Sequence, residues 1–391
     1  MVKRLRYLLL MLLLTTCSLT ISGQDTVPAS LDVKIFDHLP ITTLHVLPAG
    51  GQYELTDTLG RALLKIRQFE PLVFSITREG IQLTMGDSII YFQQTVWLKG
   101  SGFENYCKVR PHGSAGPARS YTDDLLIANH QGLLQIINRV AFEKYIAGVV
   151  QAESGMLQHP EFYLVQATIA RTYALRSISR HQSEGYHLCD QVHCQAYHGS
   201  SDYPTIVRGV VLTRGDVVVD RHHRLIESVY HANCGGQTVN SEDVWLQALP
   251  YLRSVTDPYC TSKRGAVWQD TISQTELAHY LNTSLNHAPG APQMDLLYSF
   301  SQAERKHHLD AERLVPLKHM RSHFSLRSTF FSFQRQHQDI IIQGRGYGHG
   351  VGLCQEGAMR MAELGFPSDS IIGFYYQGVH VISLEEAEPA Y

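Results

Sequence analysis

The sequence predicts an α+β protein in which a β-rich N-terminal module precedes a mixed α/β region. Short apolar or alternating segments, separated by Gly, Asp and Asn, occupy residues 31–140 and have the length of strands. From Ala141 onward the apolar residues recur three and four apart, which is the period of a helix. The 391 residues exceed one average domain, so two lobes are expected.

The β-rich module is predicted to span residues 24–124. Its strand-like segments, with one that follows, are Val33–Phe36, Leu44–Leu47, Leu72–Ile76, Ile81–Thr84, Ile89–Phe92 and Leu133–Ile137. The segment Gly100–Arg119 is rich in Gly, Pro and Ser around Cys107, and this composition predicts a surface loop.

The first 23 residues have the pattern of a secretory signal peptide. Lys3, Arg4 and Arg6 precede an apolar run from Tyr7 to Leu14, and small or polar residues follow to residue 23. We therefore expect an exported protein, periplasmic or associated with the cell envelope; an uncleaved apolar anchor is the alternative. Thr stands directly before Cys17 and fits a lipoprotein cleavage site poorly, and no later segment reaches the roughly 20 apolar residues of a membrane span.

Composition excludes some classes of partner and scaffold. The formal charge of −3 gives no basic surface of the kind that nucleic-acid-binding proteins use, so nucleic acid is not an expected partner. Seven cysteines are too few for a disulfide scaffold in a chain of this length. The 21 histidines make metal sites worth seeking.

An acidic residue follows the first predicted helix. The apolar face that includes Phe142, Tyr145 and Val149 leads into Glu153, and a second helix is predicted from Pro160 to about Ser179. A carboxylate in the connection between two buried helices is desolvated, which favours the proton-bearing form and suits a general acid. The alternative is an ordinary Glu on a solvated helix end.

A metal-ligand pattern follows the second helix. Cys189, His193 and Cys194 offer two thiolates and an imidazole within six residues, a combination that suits zinc. His187 is the nearest candidate for a fourth ligand; His181, water or an active-site carboxylate are the alternatives. A disulfide involving Cys189 or Cys194 is the competing interpretation.

A glycine turn follows two segments predicted as strands, Val210–Thr213 and Val217–Val219. His231 and Asn233 stand just before Gly235-Gly236, where the backbone could approach a sugar closely; a hairpin turn without a ligand is the alternative. The neighbouring Cys234 could form a bridge with Cys260.

Alternate glycines form the densest motif, from Gly344 to Gly352. They place Arg345, Tyr347 and His349 between them and precede a short helix that begins at Gln355. Neither the phosphate-loop pattern nor G-x-G-x-x-G is present, so a nucleotide is an unsuitable ligand. The run predicts a ligand-facing wall, with a tight strand-to-helix connection as the alternative. The polar residues 275–335 suggest an insertion, to which we assign no chemistry.

Several motifs together resemble the stage II sporulation protein D family, also called SpoIID/LytB. The resemblance covers about residues 125–391. The similar segments occur in the family's order: Tyr145–Glu153, Gln166–Leu175, Asp190–Tyr197, His231–Thr238 and Gly344–Ala358. Cys354 departs from the pattern, because many members are expected to carry another residue there.

The resemblance implies a lytic transglycosylase that cleaves peptidoglycan glycan strands between N-acetylmuramic acid and N-acetylglucosamine. It further implies strands without stem peptides as substrate and 1,6-anhydro-muramoyl ends as product, with Glu153 as the catalytic acid. By the same resemblance, zinc would bind Cys189, His193 and Cys194, to which we add His187. The substrate-binding residues implied are Arg171, Tyr173, His231, Asn233, Gly235, Gly236, Arg345, Tyr347, His349 and Gln355.

Two other functions stay open at this point. Some family members are described as amidase enhancers, so this chain could bind glycan and stimulate a cell-wall amidase without cutting. A zinc hydrolase in which the metal is catalytic is the third hypothesis. Sporulation itself does not follow from the resemblance, because an export signal and a β-rich leader suit any envelope protein.

Overall fold

The computed structural model describes residues 28–245, 247–285, 290–310 and 315–388. The predicted signal peptide, residues 1–23, lies outside these ranges. The described residues combine a large sheet with several helices, which confirms the predicted α+β class. Across these ranges we find no helix with the length and apolar character needed to cross a membrane.

One large sheet contains the N-terminal strands. These are β1 (Ser30–Ile35), β2 (Thr43–Thr56), β3 (Ala62–Ile66), β4 (Leu72–Thr77), β5 (Gly80–Met85), β6 (Ser88–Phe92), β7 (Thr95–Pro111), β8 (Arg119–Thr122), β9 (Asp124–His130), β10 (Leu133–Ala141) and β11 (Leu188–Cys189). The main order is β11-β1-β10-β9-β7-β2-β4-β5-β6, while β3 pairs with β2 and β8 with β7. All of these pairs are antiparallel except β1 with β11.

The helices and smaller sheets follow. The helices are α1 (Phe142–Ser154), α2 (Pro160–Arg176), α3 (Pro204–Leu212), α4 (Ser241–Val244), α5 (Gln274–Leu285), α6 (Ala291–Tyr298), α7 (Leu317–His323), α8 (Gln355–Glu363) and α9 (Ser368–Tyr375). The remaining strands are β12 (Asp216–Val219), β13 (Tyr230–His231), β14 (Val267–Ser273), β15 (Phe330–Gln336), β16 (Asp339–Arg345), β17 (Leu353–Cys354) and β18 (His380–Ser383). They pair as β12-β18, β13-β17 and β14-β16-β15.

A tight turn joins the large sheet to the first helix. Gln131 and Gly132 both have positive φ, 53° and 82°, and connect β9 to β10 as the two-residue loop of an antiparallel hairpin. The alternating apolar residues of β10 then face the core, and α1 begins directly after this strand. The sheet therefore fixes the start of α1.

The described ranges contain two hydrophobic cores. The larger core contains buried residues from β1 through α9, so the N-terminal strands and the helices pack together. The smaller core unites Trp268 of β14 with Leu277 and Leu281 of α5 and Ile340 of β16. Part of the segment predicted as a polar insertion, residues 275–335, thus contributes to a small folded unit with its own sheet.

Two local predictions are wrong. Gly100–Arg119, predicted as a loop, largely belongs to the long strand β7, where Cys107 is fully buried. Val210–Thr213, predicted as a strand, falls at the end of helix α3, which Pro204 begins. In both places the packing of neighbouring elements outweighs the local composition.

The close packing of α1 depends on Gly148. A Cβ atom at this position would lie 2.2 Å from the carbonyl oxygen of Gly199 and 2.6 Å from the ring of Tyr197. Only glycine lets these segments approach so closely. Helix α1 then ends at Gly155, whose φ is 67°. This arrangement fixes the last turn of α1, which contains Glu153.

We predict opposite effects for alanine at two helical glycines. Gly148→Ala should lower the free energy of unfolding by about 1–3 kcal/mol, because the new methyl group overlaps a backbone carbonyl. Gly373→Ala in α9 is the matched control: a Cβ there meets no atom within 4 Å, so it should stabilise by up to about 1 kcal/mol. Urea unfolding of both variants measures the difference, and a Gly148→Ala protein as stable as the wild type would contradict this packing.

Candidate active site

A cavity of about 860 Å³ lies between the end of α1, strand β13 and the glycine run. Its size suits an extended ligand of several rings. Among the described residues, those most relevant to chemistry in its lining are Glu153, Tyr230, His231, Trp245, His349 and Gln355. Four of these six side chains were predicted from the sequence, and Tyr230 and Trp245 were not.

Glu153 occupies the last turn of α1 instead of the connection after it. Its Oε1 atom accepts a hydrogen bond of 2.8 Å from the backbone N–H of Ala196, and the nearby hydroxyl of Tyr230 also stabilises the ionised carboxylate. The Gln355 amide donates to the main-chain oxygen of Glu153 at 3.4 Å and to Oε1 of Gln166 at 3.3 Å. The start of α8 thus supports the end of α1.

Burial raises the pKa of Glu153. The N–H of Ala196 and the hydroxyl of Tyr230 act in the opposite direction, since both stabilise the ionised carboxylate. Burial is the largest of these effects, so the proton-bearing form persists to higher pH than for a solvated Glu. A group in this situation can donate a proton and then accept one.

Two histidines opposite the acid are held in defined orientations. His349 Nε2 donates to the backbone oxygen of Tyr230 at 3.0 Å, while its Nδ1 accepts from the N–H of Val351 at 3.1 Å. His231 Nδ1 donates to the oxygen of Val351 at 3.1 Å. The partners of these ring nitrogens are backbone N–H and C=O groups, which can only donate or only accept. Each ring is therefore assigned one tautomer.

Both histidines are electrically neutral at physiological pH. Burial lowers the pKa of His349 to about 4. Burial, followed by the neighbouring His349, also holds the pKa of His231 well below its usual range. The Nε2 atom of His231 is buried and has no hydrogen-bond partner within the described part of the chain. In the tautomer described above, this atom is a buried acceptor left unsatisfied beneath the cavity surface.

Two exposed aromatic side chains extend the cavity wall. The Trp245 ring lies 5.2 Å from the His349 ring and is 40% exposed, although tryptophan is usually well buried. Tyr347 is 55% exposed and also lines the cavity. Flat aromatic surfaces of this kind can stack against the apolar faces of sugar rings.

Tyr173 and Arg180 lie beside the cysteine-rich segment, of which His193 and Cys194 also line the cavity. The Tyr173 hydroxyl donates to the backbone oxygen of His193 at 3.0 Å, and Arg180 Nη1 donates to the Tyr173 hydroxyl at 2.8 Å and also to His193 O. Both side chains line the cavity. Tyr173 therefore lies where the sequence predicted it, while Arg180 is an addition.

Four potential metal ligands converge beside this wall. The ligand atoms of His181, Cys189, His193 and Cys194 all lie within 4.8 Å of one another. Cys189 Sγ is 3.2 Å from His193 Nε2, and Cys194 Sγ is 3.4 Å from His181 Nε2. Two thiols and two imidazoles at these separations fit a tetrahedral zinc ion, and four protein ligands leave no open position on it.

His187 does not join this group. Its Nδ1 atom accepts a hydrogen bond of 2.9 Å from the backbone N–H of Asp32, and the backbone N–H of His187 donates to the backbone oxygen of Asp32. The ring thus holds the edge of β1. The structure thus places His181, and not the predicted His187, with the cysteines, because the turn after α2 brings His181 back to them.

Arg171 does not face the cavity, contrary to the prediction. It is fully buried and forms a bidentate pair with Glu143, with Arg171 Nη2 2.8 Å from Oε2 and Nε 3.1 Å from Oε1. Its remaining donors reach the backbone oxygens of Val210 and Asp216. A guanidinium satisfied in this way joins α1, α2 and α3 and is not available to a sugar.

The Gly-Gly turn and Arg345 also lie behind the cavity wall. The Asn233 amide donates to Glu356 Oε2 at 2.6 Å, and its oxygen accepts from the N–H of Gly235 at 2.7 Å. A Cβ on Gly235 would lie 2.8 Å from Arg345, so this turn packs against the glycine run. Gly236 is likewise absent from the cavity lining. These four predicted substrate contacts are corrected to supporting roles.

Sequence reasoning missed Tyr230, Trp245, Arg180 and Glu227, which all line the cavity. Tyr230 stands directly beside the predicted His231, and Trp245 is one of only three tryptophans, so both had weak signals in the sequence. Arg180 and Glu227 lack any local signal. Glu227 accepts a hydrogen bond of 2.7 Å from Arg176 and forms an ion pair with it.

Comparison with known proteins shows which proteins are similar to this chain. The model of a family described as "SpoIID: Stage II sporulation protein" matches residues 130–219, which include Glu153 and all four residues of the cluster that contains His181 and Cys189. The chain is also 23% identical over 290 residues to the amidase enhancer of Bacillus subtilis, covering 61% of this chain and 40% of that protein.

Two further relatives carry the family's name. The stage II sporulation protein D of Bacillus amyloliquefaciens is 30% identical over 267 residues, covering 63% of this chain and 75% of its own length. The protein of the same name from Bacillus subtilis is 27% identical over 268 residues, covering 63% of this chain and 76% of that protein. The chain therefore belongs to the stage II sporulation protein D family.

Proposed function

We propose that this protein is an exported lytic transglycosylase that cleaves peptidoglycan glycan strands lacking stem peptides. The observation that carries the proposal is Glu153, a buried carboxyl group with a raised pKa at the wall of a large cavity. Membership of the stage II sporulation protein D family supports the same substrate class.

The proposed reaction needs one protein carboxyl group. Protonated Glu153 gives its proton to the glycosidic oxygen, and the bond from that oxygen to C1 of the muramoyl residue breaks. The resulting carboxylate takes the proton of the muramoyl C6 hydroxyl, whose oxygen bonds to C1 and forms the 1,6-anhydro ring. Glu153 ends protonated, and no water is consumed.

The neighbours of Glu153 suit both steps. Burial favours the acid before cleavage, while the Ala196 N–H and the Tyr230 hydroxyl stabilise the carboxylate that cleavage leaves behind. Trp245 offers an exposed ring face against which a sugar can stack. The cavity thus offers proton transfer and sugar positioning on one surface.

Enhancement of a cell-wall amidase is the second candidate function. It is favoured by the similarity to a protein named amidase enhancer, although this chain spans only 40% of that protein. In that case the cavity would bind glycan, and the proton chemistry of Glu153 would be irrelevant. Loss of activity on substitution of Glu153 separates the two functions.

We also propose that zinc binds His181, Cys189, His193 and Cys194. The chemistry of the donors and their mutual separation, within 4.8 Å, support this ion. With four protein ligands the ion would be structural and would hold the loop that carries Ala196, the hydrogen-bond donor to Glu153. This arrangement disfavours the zinc-hydrolase hypothesis.

Glu153→Gln should lower cleavage of purified glycan strands by roughly 100-fold to 10,000-fold, because the amide cannot transfer the proton. Glu227→Gln is the matched control, since it alters another carboxylate of the cavity wall that is already paired with Arg176. It should retain activity within about threefold. Equal loss in both variants would instead indicate two-carboxylate hydrolysis.

The products separate the candidate reactions directly. Mass spectrometry after reaction in heavy-oxygen water should show anhydro ends, one water lighter than reducing ends and without the label. Strands that still carry stem peptides should react more slowly. Labelled reducing ends would indicate hydrolysis, and stimulation of an amidase with no glycan cleavage would indicate an enhancer.

Tyr230→Phe should shift the alkaline limb of the pH dependence of kcat/KM to higher pH. The reaction needs protonated Glu153, so the rate falls as pH rises through the pKa of this group. Loss of the Tyr230 hydroxyl removes an interaction that lowers this pKa, so the effect of burial is less opposed and the pKa rises. Tyr53→Phe is the control, because the Tyr53 hydroxyl binds the Asp123 oxygen outside the cavity. A shift to lower pH would contradict the assignment.

His181→Ala should lower the zinc content of the purified protein by one ion per chain, measured by plasma mass spectrometry. His187→Ala should leave the content unchanged, because His187 binds the Asp32 N–H instead. The two variants lose the same side chain from neighbouring positions. The opposite pattern would restore His187 as the ligand.

A further inference from the structure

A second cluster of ligand-type side chains lies away from the proposed zinc site. Cys234, Asp257, Cys260 and Cys354 are each fully buried, and their ligand atoms all lie within 4.8 Å of one another. The sequence suggested only a bridge between Cys234 and Cys260. The structure adds Cys354, because the parallel pairing of β13 with β17 brings it beside the turn.

The separations within this cluster fit one tetrahedral ion. Sulfurs bound at about 2.3 Å to a tetrahedral zinc lie roughly 3.8 Å apart. Cys234 Sγ is 3.4 Å from Cys260 Sγ and 3.2 Å from Asp257 Oδ2, and all three cysteines are free thiols. All four ligand atoms lie within 4.8 Å of one another, so small adjustments of these side chains would place them around one ion.

The surrounding donors stabilise thiolates and a carboxylate. The N–H of Cys234 donates to Cys354 Sγ at 3.2 Å. The Tyr375 hydroxyl donates to Asp257 Oδ2 at 3.0 Å, and the N–H of Tyr259 donates to Asp257 Oδ1 at 2.9 Å. Metal ligands are commonly oriented by a second layer of hydrogen bonds of this type.

The charge balance also points to a cation. Asp257 is fully buried, and no basic side chain forms an ion pair with it in the ranges that the structure covers. A buried carboxylate without a counter-charge is costly. Arg305 lies close by, but its guanidinium donates to the backbone oxygens of Cys234 and Gln237 and to the Thr329 hydroxyl. Arg305 therefore brings a positive charge near the cluster, but its hydrogen bonds go to these oxygens and not to the Asp257 carboxylate.

We propose that Cys234, Asp257, Cys260 and Cys354 bind a second zinc ion. Three thiolates and one carboxylate are a suitable tetrahedral donor set for zinc, and their complete burial leaves no position for substrate, so the ion is structural. It would join the Gly-Gly turn, the loop before β14 and the end of the glycine run. Cys354 directly precedes Gln355, so the ion would fix the residue that supports Glu153.

A disulfide between Cys234 and Cys260 is the main competitor. It would require the sulfurs to close from 3.4 Å to about 2.05 Å. If this disulfide formed, the Cys354 thiol and the Asp257 carboxyl group would stay buried together, and the four groups could no longer bind one ion. The zinc site uses all four groups, and this completeness favours it.

Metal analysis of the full-length protein tests the proposal. We expect two zinc ions per wild-type chain and one per chain in Cys354→Ser. The matched control is Cys107→Ser, which removes a buried thiol of β7 and should still bind two zinc ions. His181→Ala should lose the other ion, and the double variant should lose both. A content that Cys354→Ser leaves unchanged would overturn the second site while leaving the first intact.

A measurement on the wild-type chain covers the case in which Cys354→Ser fails to fold. Cobalt(II) exchanged into both sites should give thiolate-to-cobalt absorption of the intensity expected for five sulfurs, two in the first cluster and three in the second. An intensity corresponding to two sulfurs would overturn the proposal. So would a Cys234–Cys260 disulfide found by peptide mapping under non-reducing conditions.

Discussion

Backbone contact between residues 229–235 and the alternating glycines of residues 344–352 determines the shape of the candidate site. A Cβ on Gly346 would lie 2.6 Å from the oxygen of Asn233, and one on Gly352 would lie 2.2 Å from the oxygen of Val229. Both glycines also have positive φ. No residue larger than glycine fits at these positions, so the two segments approach closely. The ring centroids of His231 and His349 are therefore only 5.4 Å apart. The wall opposite Glu153 depends on this contact.

The proposed acid and base role of Glu153 depends on a balance between two opposing effects. The packing of α1 removes Glu153 from water and disfavours its charge, while the Ala196 N–H and the Tyr230 hydroxyl favour it. A more exposed carboxyl would lose its proton too readily to act as an acid. One buried without donors would be a poor base in the second step. The position of α1 and the loop after Cys194 together provide the intermediate condition.

The sequence indicates well which residues line the cavity, but it indicates poorly which side chains contact one another. Glu153, Tyr173, His231, Tyr347, His349 and Gln355 reach the cavity as expected. Arg171 does not, because its partner Glu143 lies on another helix and local periodicity cannot reveal that pairing. His181 replaces His187 because the turn after α2 reverses the chain, whereas sequence distance favours the nearer histidine. The α+β class followed from hydrophobic period, but the pairing of β13 with β17 could not be predicted.

The contact between Gln355 and Glu153 joins residues 202 positions apart in the chain. A ribosome synthesises the end of α1 long before it synthesises the start of α8, so a growing chain carries the acid without the opposite wall. Contacts of such long range form late, after the local helices and hairpins. The cavity therefore forms only after α8 has been synthesised, and the timing of synthesis itself keeps a shorter nascent chain without an assembled site.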